Sequence, residues 1–288
     1  MRPSGKTVVC GIVGDPIEHS MSPAMQNAAF AAKGMDWVYV AFKLDRGDVE
    51  ACAHGIRAMG IRGLNVTVPH KVDIIPFLDS IDDVARRIGA VNTIVNDGGL
   101  LRGYNTDAAG FARALEERDV DVRERTVVLL GAGGAGRAVA FSLADRDARL
   151  VVLNRGVMRA KMLADEVAQA RGMRIEHGPL TDESLQQWLP QASLLVNTTS
   201  VGMSPAVGGE SPCPAELLRE DLAVCDIVYN PRRTTLLREA AERGARTVEG
   251  VQMLVWQGAL AFELWTGVQA PVEVMRSTVE EELSHGAV

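Results

Sequence analysis

The stretch Val127-Val128-Leu129-Leu130-Gly131-Ala132-Gly133-Gly134-Ala135-Gly136 constrains the fold more than any other part of the chain. An apolar run of this length reads as a buried strand, and glycines 131, 133 and 136 supply G-x-G-x-x-G where that strand would turn into a helix. Alone the pattern is weak. Here it predicts a strand over Thr126–Leu130 and a helix over Gly134–Ala144, then a strand over Leu150–Leu153 and a helix over Val157–Ala170, which is a βαβ unit. Glycines in that turn let the main chain approach a pyrophosphate, and the free N–H groups of the helix N-terminus meet its charge. A tight glycine turn without a ligand is the plainer reading, and the βαβ context favours binding.

The end of the next strand reads the type of nicotinamide. An Asp or Glu there usually binds the ribose 2′-hydroxyl of NAD. This chain has Asn154 and Arg155 after Leu153, and Arg159 one turn on. No carboxylate would repel a 2′-phosphate and two guanidiniums can pair with it, so the charges favour NADP over NAD.

With 288 residues the chain is long enough for about two domains. Hydrophobic residues make up 47% and charged residues 23%, as in a folded globular protein. The net charge is −7 and no Lys/Arg stripe is present, which argues against nucleic acid as a partner. No stretch approaches the roughly 18 apolar residues of a membrane span. Met1–Lys6 does not read as a signal peptide, and Cys10, Cys52, Cys213 and Cys225 form no CxxC or zinc-like spacing. These features predict reduced thiols, a cytoplasmic protein and no metal site.

The first hundred residues read as a mixed α/β unit. Strands are expected over Val8–Val13, Trp37–Leu44 and Arg62–Val68, and helices from a Ser22 cap to about Gly34 and over Asp48–Met59, closed by Gly60. Two short helical segments should lead to Gly89. A hairpin follows, Val91–Val95 and Leu100–Tyr104 about Asn96-Asp97-Gly98-Gly99. Asn105-Thr106-Asp107 caps a helix to about Arg118. Beyond the βαβ unit, further strands are expected at Met173–Glu176, Leu194–Val196 and Val224–Val228, with helices at Gln252–Thr266 and Val272–Leu283. The fold class is therefore α/β: an N-terminal mixed α/β substrate domain and a Rossmann-type, doubly wound NADP domain. The Gly-, Ser- and Pro-rich loop Thr198–Pro214 is long enough to be functional or mobile.

Two charged residues stand where ligands collect. Lys71 follows Pro69-His70 at the end of a strand, and Asp107 opens a helix, whose dipole favours its charged form. A lysine held by an aspartate could protonate a carbonyl under reduction. Either residue could equally be a surface charge. Ser20, Ser22, Asn65, Thr67, Asn92 and Gln257 are neutral hydrogen-bonding groups suited to a polyhydroxylated ligand. Each also has a plain structural reading, Ser22 as a helix cap among them.

These residues lie in His19-Ser20-Met21-Ser22-Pro23, Asn65-Val66-Thr67-Val68-Pro69-His70-Lys71, Gly89-Ala90-Val91-Asn92-Thr93 and Tyr104-Asn105-Thr106-Asp107. With the glycine loop, Asn197-Thr198-Thr199-Ser200, Asp226-Ile227-Val228-Tyr229-Asn230-Pro231 and Trp256-Gln257-Gly258, the chain resembles the shikimate dehydrogenase family over nearly its whole length. The resemblance implies reversible reduction of 3-dehydroshikimate to shikimate by NADPH in aromatic amino-acid biosynthesis. It implies a substrate domain over residues 1–106, completed by helices of 251–288, and an NADP domain over 107–250, with a cleft that closes on ligand. It implies Lys71 and Asp107 as the catalytic pair. Ser20, Ser22 and Tyr229 would hold the substrate carboxylate, and Asn65, Thr67, Asn92, Asp107 and Gln257 the ring oxygens. Gly131, Ala132, Gly133, Gly134 and Ala135 would hold the pyrophosphate, and Asn154, Arg155 and Arg159 the 2′-phosphate. Ile227 and Gly250 would line the nicotinamide side, and Asp83 would touch the cofactor.

The sequence departs from the family pattern at Gln26, where His is frequent, and at Gly156, where Thr often follows Asn-Arg. Loss of that hydroxyl removes one hydrogen bond, about 1 kcal/mol, from the 2′-phosphate site. The alternatives are a quinate/shikimate dehydrogenase using NAD, an enzyme of similar build acting on folates or tRNA-bound substrates, and a non-catalytic sensing module. The neutral hydroxyl-reading set argues against the second, and the presence of both Lys71 and Asp107 against the third. The expected partners are small molecules, in a monomer or homodimer.

Overall fold

Short apolar runs alternating with helices build two separate sheets. The computed structural model describes residues 3–204 and 209–285, in two units: residues up to Asp107 together with those from Val255 onward, and Ala108–Leu254.

The first unit begins β1 (Val8–Gly14), α1 (Ser22–Ala32), β2 (Trp37–Lys43), α2 (Val49–Met59), β3 (Gly63–Val66), β4 (Ser80–Ile81), α3 (Asp83–Ile88), β5 (Thr93–Asp97) and β6 (Leu100–Tyr104). The sheet order is β2-β1-β3-β5-β6-β4. β1 pairs parallel with β2 and β3, while β3, β5 and β6 run antiparallel in turn. The hairpin closes at Asp97 opposite Leu100, as its turn residues predict. Gly60, with φ of +63°, ends α2 in the left-handed conformation. Val49, Ala53 and Ile56 of α2 pack with Leu64, Val66, Ile94 and Leu101 in one buried cluster.

The second unit opens with α4 (Asp107–Glu116), whose first residue closes the first unit. It holds β7 (Thr126–Leu130), α5 (Gly134–Ala144), β8 (Arg149–Asn154), α6 (Val157–Arg171), β9 (Glu176–Pro179), α7 (Asp182–Trp188), β10 (Leu194–Asn197), β11 (Ala223–Asp226), α8 (Thr235–Glu242) and β12 (Arg246–Val248). The order β12-β11-β10-β7-β8-β9 is parallel throughout. Its central strands are buried on both faces, which explains their unbroken apolar sequence. Two helices complete the chain, α9 (Gly250–Thr266) and α10 (Val272–His285). No helix among the described residues is long and apolar enough to cross a membrane.

Several boundaries differ from the sequence reading. α6 runs on to Arg171, so the next strand starts at Glu176 rather than Met173. β11 stops at Asp226 because the Val228 N–H leaves the ladder and donates to the Asp226 carboxylate at 3.0 Å. The short strands β4 and β12 have no apolar run to announce them. Residues 205–208 of the long loop lie outside the described residues.

Two packing constraints fix the ends of the sheets. Trp265 of α9 is buried, and its indole N–H donates to the Ile94 carbonyl at 2.9 Å. The ring lies against Gly63, where a methyl group would meet the indole and stand 2.6 Å from the Ile94 oxygen. In the second unit Asp226, fully buried, accepts from Asn197 Nδ2 at 2.9 Å and from Thr234 Oγ1 at 2.7 Å, while Thr234 caps α8. One carboxyl thus joins the ends of β10 and β11 to the start of α8. Burial pushes it up to about 6, against the pull of its three donors.

Two outcomes are expected. Gly63→Ala forces the Trp265 ring off its carbonyl and lowers the unfolding free energy by about 1–3 kcal/mol in urea titration; an unchanged midpoint rejects the contact. For Asp226, a carboxyl raised in the fold keeps a proton that the unfolded chain has released. Its contribution to stability is full below the ordinary pKa of 3.8 and falls as pH rises through about 6. The stability advantage of the wild type over Asp226→Asn should therefore be largest near pH 4 and shrink by up to about 3 kcal/mol by pH 7. A pH-independent difference would show that burial does not perturb this group.

Candidate active site

Lys71 is presented by a turn that is tied at both ends. β3 gives way to a cis Val68–Pro69 peptide, after which the His70 N–H bonds the Thr67 carbonyl at 2.9 Å. The His70 ring is fully buried, with Nε2 2.7 Å from the Leu44 carbonyl, so this histidine is part of the core. The Lys71 carbonyl accepts from the Val91 N–H at 2.8 Å. Held this way, Lys71 Nζ donates to Asp107 Oδ2 at 2.6 Å. The two side chains are only 14% and 8% exposed. Asp107 is the first residue of α4, where the helix dipole favours a negative charge, and its N–H bonds Asn105 Oδ1 at 3.1 Å.

A buried polar chain leads away from this pair. Asn92 Nδ2 donates to Asp107 Oδ1 at 2.8 Å and to Thr106 Oγ1 at 2.9 Å, while Asn92 Oδ1 accepts from the Thr106 N–H at 2.8 Å and from Thr93 Oγ1 at 3.0 Å. Asn65 Nδ2 donates to Thr93 Oγ1 at 3.1 Å, and Asn65 Oδ1 accepts from the Tyr39 hydroxyl at 2.7 Å. Asn65, Asn92, Lys71 and Asp107, widely spaced in sequence, thus form one connected set that ends on the Tyr39 hydroxyl.

Ser22 corrects the sequence reading. Met21 occupies the helix cap position without a side-chain bond, and Ser22 is the first residue inside α1, followed by Pro23. Its hydroxyl is therefore not consumed in capping. The Ser22 N–H donates to Ser20 Oγ at 3.3 Å, which brings the two serines together. Thr67 follows the end of β3, and Gln257 stands half-buried on α9 beside Gly258, whose carbonyl accepts from the buried Gln26 at 2.9 Å. Among the described residues no hydrogen bond between side chains joins Thr67 to the Lys71 network. Asp83 is exposed at the start of α3, behind the Asp82 cap, and makes no bond to that network.

In the second unit the glycine loop has the close approaches that its composition implies. Gly131 has φ of +104°, and a methyl there would stand 2.7 Å from Thr198 Oγ1. A methyl on Gly136 would stand 2.6 Å from the Gly131 carbonyl oxygen. Thr198 donates to the Leu130 carbonyl at 2.7 Å and so braces the turn from the neighbouring strand. Sequence reasoning gave it no role; its only signal is a hydroxyl at the carboxyl end of a predicted parallel strand. Gly133 caps α5 with open space where a side chain would be, and Ala132, Gly134 and Ala135 flank it.

Asn154 ends β8 and its amide donates to the Gly156 carbonyl at 3.0 Å. Arg155 and Arg159 are exposed, and neither guanidinium has a partner among the described residues. Gly156 caps α6 with no side-chain bond. The Ile227 N–H bonds the Asn197 carbonyl at 3.1 Å, and Gly250 packs so closely that a methyl would lie 2.5 Å from the Ile227 oxygen. Tyr229 is half-buried, and burial pushes its phenol up. An open helix N-terminus, a cramped glycine turn and two unpaired guanidiniums fit a dinucleotide carrying an extra phosphate. No group of three or more His, Cys, Asp or Glu among the described residues is placed to hold a metal.

Residues 12–94 match the family described as "Shikimate dehydrogenase substrate binding domain", residues 113–210 "Shikimate / quinate 5-dehydrogenase" and residues 250–280 "Shikimate 5'-dehydrogenase C-terminal domain". A shikimate dehydrogenase (NADP(+)) of Moorella thermoacetica is 49% identical over 278 residues, 96% of this chain and 94% of that protein. A solved shikimate dehydrogenase in complex with NADP+ superposes with a TM-score of 0.93 at 43% identity, covering 98% of each chain. The Thermus thermophilus shikimate 5-dehydrogenase in complex with NADP(H) and shikimate gives 0.84 at 38% identity, over 95% of this chain and 99% of that one. The chain belongs to the shikimate dehydrogenase family.

Proposed function

We propose that this protein catalyses the reversible reduction of 3-dehydroshikimate to shikimate by NADPH, in the pathway to chorismate and the aromatic amino acids. Family membership supports the reaction, and the relatives solved with NADP+ and with shikimate support the pair of ligands. The contact of 2.6 Å between Lys71 Nζ and Asp107 Oδ2 carries the assignment of chemistry to residues.

An ammonium held in one direction, with little water around it, can give its proton to the C3 carbonyl oxygen as that oxygen becomes a hydroxyl. In the reverse direction the free amine takes the proton back. NADPH, when bound, supplies the hydride. Asp107 aims the ammonium and Asn92 aims Asp107. Ser20 and Ser22 hold the substrate carboxylate with hydroxyl donors, helped by Tyr229. Asn65, Thr67, Asn92, Asp107 and Gln257 read the ring oxygens. For the cofactor, Gly131–Ala135 take the pyrophosphate, and Asn154, Arg155 and Arg159 take the 2′-phosphate. Ile227 and Gly250 line the nicotinamide side, and Asp83 touches the cofactor. A cytoplasmic setting fits the four cysteines, all free thiols.

A second reading, quinate oxidation with NAD, draws on Gly156, which leaves the start of α6 without a hydroxyl. Initial rates with shikimate and with quinate, each with NADP+ and NAD+, decide between them. Rapid turnover of shikimate with NADP+ alone is expected. Preference for quinate or NAD+ moves the protein to the second reading, and no turnover of either acid defeats both.

Two variants test the residues. Lys71→Ala should lower kcat by about 10²–10⁴-fold, and a near-normal kcat removes the proton-transfer role. Arg155→Ala should raise KM for NADPH by about tenfold, as expected for one charge-assisted hydrogen bond, and leave KM for NADH unchanged. Equal effects on the two cofactors would show that Arg155 does not read the 2′-phosphate.

A further inference from the structure

We infer that Tyr39 is a positioning residue of the substrate site: its hydroxyl holds Asn65 in one arrangement and sets affinity for the hydroxylated acid without touching it. The inference rests on the assignment of Asn65 to that acid. Tyr39 is 1% exposed, so a buried phenol must find a partner inside the fold. It finds one that belongs to the proposed site: the O–H donates to Asn65 Oδ1 at 2.7 Å.

The rest of the residue is immobilised. Its main-chain N–H donates to Asn27 Oδ1 at 2.8 Å, and its carbonyl accepts from Asn27 Nδ2 at 2.8 Å. β2 is an edge strand, and Asn27 of α1 satisfies the peptide groups that have no further strand to pair with. The ring packs on Trp265, with centroids 5.9 Å apart. α1 carries Ser22 at its first position, so the Asn27 amide ties the Tyr39 main chain to the helix that presents that serine.

The hydroxyl also orients the Asn65 amide. With Oδ1 taken by a donor, Nδ2 must face the acceptors, and it reaches Asn92 O at 3.2 Å and Thr93 Oγ1 at 3.1 Å. Removing the O–H leaves Asn65 Oδ1 without the donor that distinguishes one amide orientation from the other. Burial pushes the phenol well above its ordinary value, so it remains a donor over the working pH range.

Tyr39→Phe keeps the ring and removes the hydroxyl. The expected result is a rise of about 5- to 20-fold in KM for shikimate and in its Kd measured by calorimetry without cofactor, the scale of one lost hydrogen bond. kcat and KM for NADP+ should stay within about twofold. A Kd and KM for shikimate equal to wild type, or equal rises in both KM values, overturns the inference and leaves Tyr39 a packing residue. Should the variant fail to fold, the wild type decides. The chain has only 3 tyrosines, so ¹³Cζ-labelled tyrosine gives resonances assignable with Tyr104→Phe and Tyr229→Phe. Saturating shikimate should shift the Tyr39 signal, and an unmoved signal overturns the inference. A wild type that neither binds nor oxidises shikimate defeats the reaction assignment and this inference with it; one that does, beside an unaffected variant, defeats only the role of Tyr39.

Discussion

A buried ammonium–carboxylate contact is expensive unless every remaining valence is met, and the Lys71–Asp107 pair imposes that condition on its surroundings. Asp107 has one oxygen on Lys71 and the other on Asn92, and it sits at a helix N-terminus. Asn92 in turn has both ends of its amide occupied by Thr93, Thr106 and Asp107. Low local dielectric strengthens such a chain when it is complete and penalises it when one member is missing. The demand for satisfied partners therefore spreads from the ion pair through Thr93 and Asn65 to Tyr39. It accounts for the burial of the neutral Asn65, Asn92, Thr93 and Thr106 side chains in this unit.

The second unit obeys a steric constraint. Its strands are parallel and buried, so the chain must leave the sheet and return over very short distances. Gly131 and Gly136 permit the turn after β7 only because nothing projects between them and Thr198. Gly250 lies against the Ile227 and Val228 carbonyls in the same manner. Asp226 completes the arrangement with a polar knot where three elements end. The loops proposed to meet the cofactor thus depart from a rigid edge, which suits residues that must hold a dinucleotide in one register.

What was legible in the sequence follows from these two kinds of constraint. Local signals were readable: the glycine turn after Leu130, the Asn96–Gly99 hairpin, the Gly60 cap and the apolar parallel strands each depend on neighbours in sequence. Ser22 misled because Ser-Pro is a genuine helix-start signal, yet the helix begins one residue earlier and frees the hydroxyl. β12 escaped notice because it is three residues long with an exposed Arg246. Tyr39 was illegible for another reason. A tyrosine in an alternating strand looks like any half-buried aromatic, and only the tertiary approach of Asn65 on β3 gives its hydroxyl a partner. Thr198 and Asp226 share that character, since their partners lie on other strands.

The two proposed ligand sites solve opposite desolvation problems. Arg155 and Arg159 keep their charge in water, exposed and unpaired, where holding two cations apart costs little. Their attraction for a phosphate is correspondingly screened by salt over about 8–10 Å. The Lys71 side has already given up its water, and its one cation is neutralised by Asp107 before any ligand arrives. A second cation there would raise the desolvation demand and compete for Asp107. Neutral donors such as Ser20, Ser22, Asn65 and Asn92 avoid that competition and can distinguish hydroxyl patterns, because an unmatched buried polar group is penalised. Charge gives attraction on the dinucleotide side, and neutral hydrogen bonds give discrimination on the acid side. The buried chain from Lys71 to Tyr39 holds the neutral donors Asn65 and Asn92 in place within the first unit.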